Sequence, residues 1–406
     1  MIKTMATRIY PTETQIKYFQ KAFGIRRWVY NWAIDEYFNT FNETNKSLSD
    51  FDLNKILNQR IRENPESSFL TSVNSMVRYH AIRDFRLSVE VYWRKWKNRL
   101  DDSNYYIDKY KPRYKSKKDS KNTFTINNKN EFRFDRGQKR IGIPYIVKNN
   151  RLYIQCAEKV SFLSDKSLYR ICSITITERG GLYFIFIKYE EKANVRTKQN
   201  SYNSSTKEIG IDMGVRTPFT CATNDKEIFK IYLPKSLQKA EKKTKRLQRI
   251  VSRKVKHNKE NYNSNRFKKA VKKLNRSYLR ENNIKKDFRE KFTTYLVKNY
   301  DVIKVEKFDT DIDADINYNA RKRIKNAINR ICSYEFLFRL EQKCVEKDKT
   351  LILVEHGTPT TQTCSSCGYR LTGDEKLSIK NRVFKCPCCK EEYDRDVNAA
   401  INILKY

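Results

Sequence analysis

The stretch that decides the fold of this chain is Lys207-Glu-Ile-Gly-Ile-Asp-Met-Gly214. It is an apolar run that ends on an acid, Asp212, with a glycine close by on either side, and it predicts a buried β-strand. Two further runs of strand-forming residues, 217–222 and 227–232, follow after short polar turns. Three short strands in succession predict a meander.

Helical and strand patterns alternate after this meander. Residues 235–298 have helical spacing, 302–305 form an apolar strand, 333–347 a further helix and 351–354 a further strand. A meander followed by β/α alternation is the element order of an RNase H-like α/β fold. We therefore predict such a domain in the C-terminal half.

The N-terminal half has a different pattern. Residues 1–10 predict a strand. Pro11-Thr12 predicts the start of a helical region that continues to about Trp96. Within this region we expect two helices separated near Gly24. The following residues change to β-rich runs, with a hairpin expected at Arg179-Gly-Gly181. The small polar residues before Glu208 predict a linker between the halves.

The charge of the chain indicates its partner. The 406 residues include 85 Lys and Arg against 47 Asp and Glu, which gives a formal net charge of +38. Such a chain repels itself unless a polyanion binds it, and nucleic acid is the usual partner. The charge argues against an ordinary metabolic enzyme. The three histidines (His80, His257 and His356) argue against a His-rich metal site.

The cysteines point to a metal site in a reducing compartment. Cys364 and Cys367 form one CxxC pair, and Cys386 and Cys389 form another. Four thiolates in two such pairs satisfy a tetrahedral structural zinc ion, and Cys388 is surplus. There is no signal-like or membrane-spanning apolar run near the first residues or elsewhere. We therefore expect a cytoplasmic protein without a membrane partner.

Three acidic positions stand in otherwise apolar or helical text. Asp212 and Glu306 each end a predicted strand, and the pair Asp394 and Asp396 stands at a helix start. Each acid alone is most simply a turn or cap residue. Together they predict a nuclease site, because Mg²⁺ prefers carboxylate oxygens and two-metal nucleases need several of them.

Two basic stretches predict contacts to nucleic-acid phosphates. Residues 235–298 carry 23 Lys or Arg and five acids on a helical pattern, and residues 111–118 interleave lysines with aromatic residues. The predicted contact residues are Lys115, Lys117, Lys118, Lys268, Lys269, Lys272, Lys273 and Arg276.

Several of these phrases together resemble one family. Residues 210–214 (Gly-Ile-Asp-Met-Gly), Val305-Glu306, residues 360–368 (Thr-Thr-Gln-Thr-Cys-Ser-Ser-Cys-Gly) and residues 394–403 (Asp-Arg-Asp-Val-Asn-Ala-Ala-Ile-Asn-Ile) are similar to the TnpB (OrfB) family. These proteins are encoded by insertion sequences and are similar to compact type V CRISPR nucleases. The resemblance covers nearly the whole chain.

The resemblance implies an RNA-guided DNA endonuclease with a RuvC-type core. Its acidic triad carries over to Asp212, Glu306 and Asp396, since the family's third acid stands just before the x-Asn-Ala-Ala phrase, although Asp394 lies only two residues away. It implies two catalytic Mg²⁺ ions, one structural Zn²⁺, a guide RNA and a target DNA. All three acids are present, so the chain does not resemble a nuclease-dead relative.

The resemblance also implies a domain order for this α+β and α/β multidomain chain. A β-barrel wedge domain is expected to be interrupted by a helical recognition domain, and the zinc ribbon to be inserted in the RuvC-like domain. The expected ranges are 1–12 and 104–194 for the wedge, 13–103 for the recognition helices, 195–206 for a linker, 207–357 and 394–406 for the nuclease core, and 358–393 for the ribbon.

Other functions remain open at the level of sequence. A cut-and-paste transposase would use the same acids without a guide RNA, and a zinc-ribbon regulator would bind nucleic acid without cutting it. A CRISPR-associated effector would share the chemistry of a TnpB nuclease.

Overall fold

The computed structural model describes most of the chain. The described residues are 2–97, 110–117, 122–127, 132–134, 139–145, 150–165, 167–192, 206–214, 216–257, 264–307, 326, 329–331, 333–355, 357–377 and 381–406. The chain divides into two units, Met1–Gln199 and Asn200–Tyr406. Each unit has a hydrophobic core of its own.

The first unit is built on a seven-stranded antiparallel sheet in the order β2-β6-β7-β1-β5-β4-β3. Its strands are β1 Ile2–Tyr10, β2 Thr123–Ile126, β3 Arg133–Phe134, β4 Arg140–Pro144, β5 Arg151–Cys156, β6 Tyr169–Arg179 and β7 Leu182–Glu191. β6 and β7 form the predicted hairpin, with Gly180 and Gly181 in its turn at φ of 61° and 75°. Glycine reaches these positive angles without the steric cost of a side chain.

The closed wedge barrel expected from the family resemblance is wrong for the described part of this unit. β2 and β3 are the two edges of the sheet, and no pairing joins them within the described residues. A barrel closes only when its edge strands exchange hydrogen bonds. β3 is only two residues long, and within the described residues it pairs with β4 alone.

Among the described residues, three α-helices lie between β1 and β2 in the chain: α1 Glu13–Thr44, α2 Asp50–Glu63 and α3 Ser75–Lys97, with a short 3₁₀ helix, Pro65–Ser72, between α2 and α3. α1 begins where the sequence predicts, because the Thr12 side chain accepts the backbone N–H of Gln15 while the Gln15 side chain accepts that of Thr12. The predicted break at Gly24 is wrong, since α1 continues through it. One helical glycine costs about 1 kcal/mol relative to alanine, and the burial of Phe23 and Ile25 on either side offsets that cost.

The second unit is built on a five-stranded sheet in the order β10-β9-β8-β11-β12. Its strands are β8 Glu208–Asp212, β9 Phe219–Thr223, β10 Ile228–Ile231, β11 Val302–Glu306 and β12 Thr350–Val354. The first three form the predicted antiparallel meander, whereas β11 runs parallel to both β8 and β12. Because parallel neighbours end at the same edge of a sheet, the ends of β8 and β11 lie side by side.

Helices cover both faces of this sheet. The α-helices in the described residues of this unit are α4 Lys235–His257, α5 Asn265–Asn299, α6 Ser333–Lys347 and α7 Arg395–Lys405, of which α4 packs on α5. Phe292 of α5 and Phe336 of α6 surround Phe219 of β9, with ring centroids 4.8 and 4.9 Å from it. α7 lies against Gly210, whose position in β8 points opposite to that of the core residue Ile211.

A small two-stranded hairpin precedes α7. Its strands are β13 Val383–Lys385 and β14 Glu392–Asp394, and a short 3₁₀ turn, Gly373–Glu375, comes before them. Leu371, Phe384 and the two buried thiols of Cys364 and Cys386 form its core. Among the helices described, none is both long enough and apolar enough to span a membrane.

Candidate functional site

Asp212 lies at the end of β8, at the point where the parallel pair begins to open. It follows Ile211, which pairs in register with Val305 of β11. On the same strand, a Cβ atom added to Gly210 would lie 2.5 Å from the backbone oxygen of Ala400 and from the backbone nitrogen of Leu404. Only glycine permits α7 to approach β8 this closely, and the close approach brings α7 alongside Asp212.

Glu306 ends β11 one residue beyond the pair of Val305 and Ile211, so it lies at the same sheet edge as Asp212. The hydroxyl of Thr360 donates a hydrogen bond to Oε2 of Glu306 at 3.0 Å. The next residue, Lys307, forms an ion pair with Glu355. Glu306 therefore sits between the sheet edge and the segment that leads to the first cysteine pair.

Asp394 and Asp396 have different roles. Asp394 is the N-cap of α7: its Oδ1 accepts the backbone N–H groups of Asp396 and Val397, and its Oδ2 pairs with Lys230 at 2.8 Å. Although burial acts in the opposite direction, the Lys230 ammonium and these N–H groups lower the pKa of Asp394. Asp396 lies in the first turn of α7, mostly buried, 3.7 Å from the guanidinium of Arg382.

The electrostatics join three of the acids. Burial first, and then the carboxylates of Asp396 and Glu306, raise the pKa of Asp212 from 3.8 to about 8, while Arg395 opposes the shift. Asp394 contributes less than either of them. The carboxylates of Asp396 and Glu306 therefore lie close enough to Asp212 to disfavour its ionised form, and a bound cation would relieve this effect.

The four predicted zinc ligands are brought closer together than the acids. Among the described residues, the set whose ligand atoms all lie within 4.8 Å of one another is Cys364, Cys367, Cys386 and Cys389. The Sγ atoms of Cys364 and Cys389 are 3.6 Å apart, and those of Cys367 and Cys386 are 3.5 Å apart. Zn–S bonds of about 2.3 Å in a tetrahedron require separations near these values.

The backbone conformation of the first cysteine knuckle explains why a glycine, Gly368, follows Cys367. Gly368 has φ of 78°, a left-handed conformation that favours glycine, and its N–H donates to the carbonyl of Cys364. Cys388 is exposed and stays outside the set of four. The donor set of four thiols therefore fits one zinc ion with no open position.

Two asparagines of α7 hold the segment that leads into this knuckle, and sequence analysis gave them no role. Asn398, fully buried, accepts the N–H of Ser365 at 2.9 Å and donates to the carbonyl of Thr363 at 2.7 Å. Asn402 donates to the carbonyls of Thr360 and Thr363 at 2.8 and 2.7 Å. The sequence did contain a signal for this shared role: Asn398 and Asn402 are four residues apart, and residues four apart lie on one face of a helix.

The basic residues predicted on α5 lie on its surface. Lys268, Lys269, Lys272, Lys273 and Arg276 are all exposed. α4 and α5 pack together, and a buried hydrogen bond joins the hydroxyls of Thr244 and Ser277 at 2.8 Å. The predicted contact residues on α5 therefore face outward.

Sequence analysis did not single out a second row of cations, on α4. Its members recur every three or four residues on the exposed face, and none forms an ion pair with another described residue: Lys235, Lys239, Lys242, Arg246, Arg249 and Arg253. The lone acid of α4, Glu241, pairs with Arg330 instead. We name these six residues the α4 row.

The basic segment 110–117 lies along α1, and its lysines differ in burial. Lys115 has its ammonium 3.2 Å from the centre of the Tyr30 ring, and burial lowers its pKa to about 8. The Asn31 amide holds the Lys115 backbone from both sides, at 2.7 and 3.1 Å. Lys117 is exposed, and Lys118 lies outside the described residues.

Three family models match the chain. A probable transposase model of the OrfB IS605 family matches residues 187–316, and a Cas12f1-like TNB domain model matches residues 334–403. A helix-turn-helix model matches residues 1–46, which here form strand β1 and the single helix α1. Together the matches span more than half of the chain.

Full-length relatives agree with these models. A candidate RNA-guided DNA endonuclease of Streptomyces pristinaespiralis is 26% identical over 401 residues, 98% of this chain and 87% of that protein. The TnpB-like protein L79 of Acanthamoeba polyphaga mimivirus is 24% identical over 418 residues, 100% of this chain and 73% of that protein. The chain belongs to the TnpB family.

This TnpB-family chain also shares its fold with a protein of known structure. The cryo-EM structure of a Cas12f1–sgRNA–target DNA complex aligns with a TM-score of 0.51 at 15% identity, and the alignment covers 99% of this chain and 98% of that one. The likeness supports a shared α+β fold over the whole chain.

Proposed function

We propose that this chain is an RNA-guided DNA endonuclease of the TnpB type, the kind often labelled a transposase. The observation that carries the proposal is that Asp212 and Glu306 end two neighbouring parallel strands, that Asp396 lies in the first turn of α7, and that both other carboxylates raise the pKa of Asp212. Family membership and a relative of that name matching 98% of the chain support the same activity.

The strand order supports a RuvC-like nuclease core. An antiparallel meander continued by two parallel strands, with helices on both faces, is what the sequence predicts for an RNase H-like domain. Its acids stand at the carboxyl edge of the parallel pair, where open α/β sheets bind their ligands.

The donor set fits magnesium rather than a softer metal. The three acids offer only carboxylate oxygens, which are the ligands that Mg²⁺ prefers. Asp212, Glu306 and Asp396 would hold two Mg²⁺ ions, which when bound supply charge stabilisation for hydrolysis of the phosphodiester.

The protein's own residues prepare this site. The carboxylates of both other acids act on that of Asp212, which supports its assignment as the ligand shared by the two metal positions. Asp394 fixes the start of α7 and so directs Asp396. Arg382 lies beside Asp396 and offsets part of its charge.

The four cysteines would bind one structural zinc ion. Such an ion has four protein ligands and no open position, so it stabilises the fold of the ribbon without taking part in hydrolysis. Asn398 and Asn402 join the ribbon to α7, which carries Asp396. Zinc binding would therefore also fix the position of the third acid.

Guide RNA and target DNA are the proposed partners. The α4 row and the exposed cations of α5 would contact phosphates, which position a nucleic acid without reading its sequence. Base pairing with the guide would supply the sequence.

The test is cleavage of DNA programmed by RNA. The protein is purified with its associated RNA, the RNA is sequenced, and its guide portion is replaced by a new sequence. We expect Mg²⁺-dependent cleavage of DNA that matches the new guide and none of mismatched DNA. Cleavage or strand joining by RNA-free protein would favour a guide-independent transposase, and binding without cleavage would favour a regulator.

A further inference from the structure

Thr360 occupies a position between two elements of the proposed active site. It lies after β12 and before the first cysteine pair, and 5% of its surface is exposed. Its hydroxyl and its carbonyl both form hydrogen bonds, and the two bonds lead to different acids. The side chain reaches Glu306, whereas the backbone reaches the helix that carries Asp396.

The first bond fixes one oxygen of a carboxylate. A threonine hydroxyl has one proton to donate, and here it goes to Oε2 of Glu306 at 3.0 Å. This bond restricts rotation of the carboxylate and occupies one lone pair of Oε2. Hydrogen bonds that orient a ligand in this way tune metal binding without touching the metal.

The second bond ties Thr360 to α7. The carbonyl of Thr360 accepts from Nδ2 of Asn402 at 2.8 Å. Asp396 lies on the same helix, about a turn and a half before Asn402. Because α7 is also held against Gly210 of β8, a shift of Thr360 would strain a closely packed helix. Asn402 of α7 thus holds the backbone of Thr360 while the Thr360 hydroxyl holds the carboxylate of Glu306.

We propose that Thr360 is a positioning residue of the metal site, whose hydroxyl fixes the carboxylate of Glu306 for binding the divalent cation. This inference rests on the proposed nuclease function. The alternative is that the hydroxyl serves stability alone, since a buried polar group needs a partner. Metal affinity separates the two roles, because a stabilising contact alone would not set it.

The experiment compares three variants. Thr360→Val removes the hydroxyl and keeps the shape, and Thr360→Ser keeps the hydroxyl. Thr358→Val is the matched control, since its hydroxyl donates to the backbone carbonyl of Glu355 in the same segment. Each protein is purified with its RNA, and Mn²⁺ binding is measured by electron paramagnetic resonance. Guided cleavage is measured against Mg²⁺ concentration, together with DNA binding and zinc content.

We expect Thr360→Val to weaken Mn²⁺ binding and to raise the Mg²⁺ concentration for half-maximal cleavage, each by roughly 10- to 100-fold. DNA affinity and zinc content should stay at the wild-type level, and Thr360→Ser should behave like the wild type. In a Glu306→Ala background, Thr360→Val should have no further effect on Mn²⁺ binding, because the two residues act as one unit.

Three results would overturn the proposal: Mn²⁺ binding by Thr360→Val equal to that of Thr358→Val, an equal loss in Thr360→Ser, or loss of zinc along with activity. If Thr360→Val does not fold, Thr360→Ala, which also lacks the hydroxyl, takes its place. If wild-type protein binds Mn²⁺ but never cleaves guided DNA, the nuclease function fails, while the Mn²⁺ titration still decides the role of Thr360.

Discussion

Gly210 of β8 and Leu404 of α7 approach so closely that a Cβ atom on the glycine would lie 2.5 Å from the Leu404 backbone nitrogen. The contact is with backbone, which cannot move aside as a flexible side chain can. Lys304 of β11 pairs in register with Gly210, and its ammonium donates to the Leu404 carbonyl at 2.7 Å. α7 is therefore fixed at its C-terminal end by a strand residue that tolerates no side chain.

Gly210→Ala should destabilise the second unit by about 1–3 kcal/mol or more, since overpacking a filled interior costs this much. Chemical denaturation followed by circular dichroism measures the loss. Gly24→Ala is the control: a Cβ there has nothing within 4 Å, and it lies within α1. That variant should gain roughly 0.5–1 kcal/mol, and equal losses in both would contradict the packing argument.

Replacing any of Asp212, Glu306 and Asp396 by alanine should abolish guided cleavage while DNA binding persists, because binding depends on the cationic surface rather than on single acids. Combining the changes should add little, since members of one catalytic unit are not additive. A gel assay of cleavage and a filter-binding assay measure the two properties.

The control for this series is Asp394→Asn. Asparagine keeps the ability to cap α7, so this variant should retain most of its cleavage activity. Asp394→Ala should lose about 1 kcal/mol of stability and still cut faster than Asp396→Ala. If Asp394→Asn is inactive and Asp396→Ala is active, the third ligand is Asp394 and not Asp396.

Asp212→Asn should make the metal-free protein more stable at neutral and alkaline pH. The pKa of Asp212 is raised to about 8 from 3.8 in the folded chain, so the ionised acid opposes folding increasingly as pH rises between these values. Urea unfolding should give equal free energies of unfolding for the two proteins near pH 3.8. The free energy of unfolding of Asp212→Asn should exceed that of the wild type increasingly as the pH rises to about 8. Mg²⁺ should then stabilise the wild type alone; a pH-independent difference would contradict the cause.

Cys386→Ser should lower the zinc content well below one ion per chain and unfold the ribbon, because zinc binding at small sites is coupled to folding. Cys388→Ser removes an exposed thiol two residues away, and this variant should keep its zinc. Elemental analysis of the purified proteins measures both. Loss of zinc in Cys388→Ser but not in Cys386→Ser would reassign the fourth ligand.

Replacing Lys242, Arg246 and Arg249 of the α4 row by glutamine should flatten the salt dependence of nucleic-acid binding. Each phosphate contact contributes about 0.7–0.9 to the slope of log K against log salt. The matched variant changes Lys226, Lys347 and Lys376, exposed cations outside α4 and α5, and loses the same charge. Equal slopes in the two variants would show that only net charge matters.

Local signals in the sequence determined the parts of this protein that depend on neighbouring residues. Thr12 and Gln15 cap α1, Gly180 and Gly181 turn the hairpin, and the two CxxC pairs present four thiols, all within a few residues of chain. The meander and the later helix Ser333–Lys347 followed from hydrophobic spacing in the same way.

The tertiary structure decided what depends on residues far apart in the chain. α1 continues through Gly24 because burial on either side outweighs the cost of one glycine. The expected barrel stays open among the described residues, because closure depends on its two edge strands meeting. Asp394 caps α7 and pairs with Lys230, 164 residues away, and Thr360 reaches Glu306 across 54 residues. No local pattern encodes such contacts, since they exist only once the sheet, α7 and the ribbon have packed together.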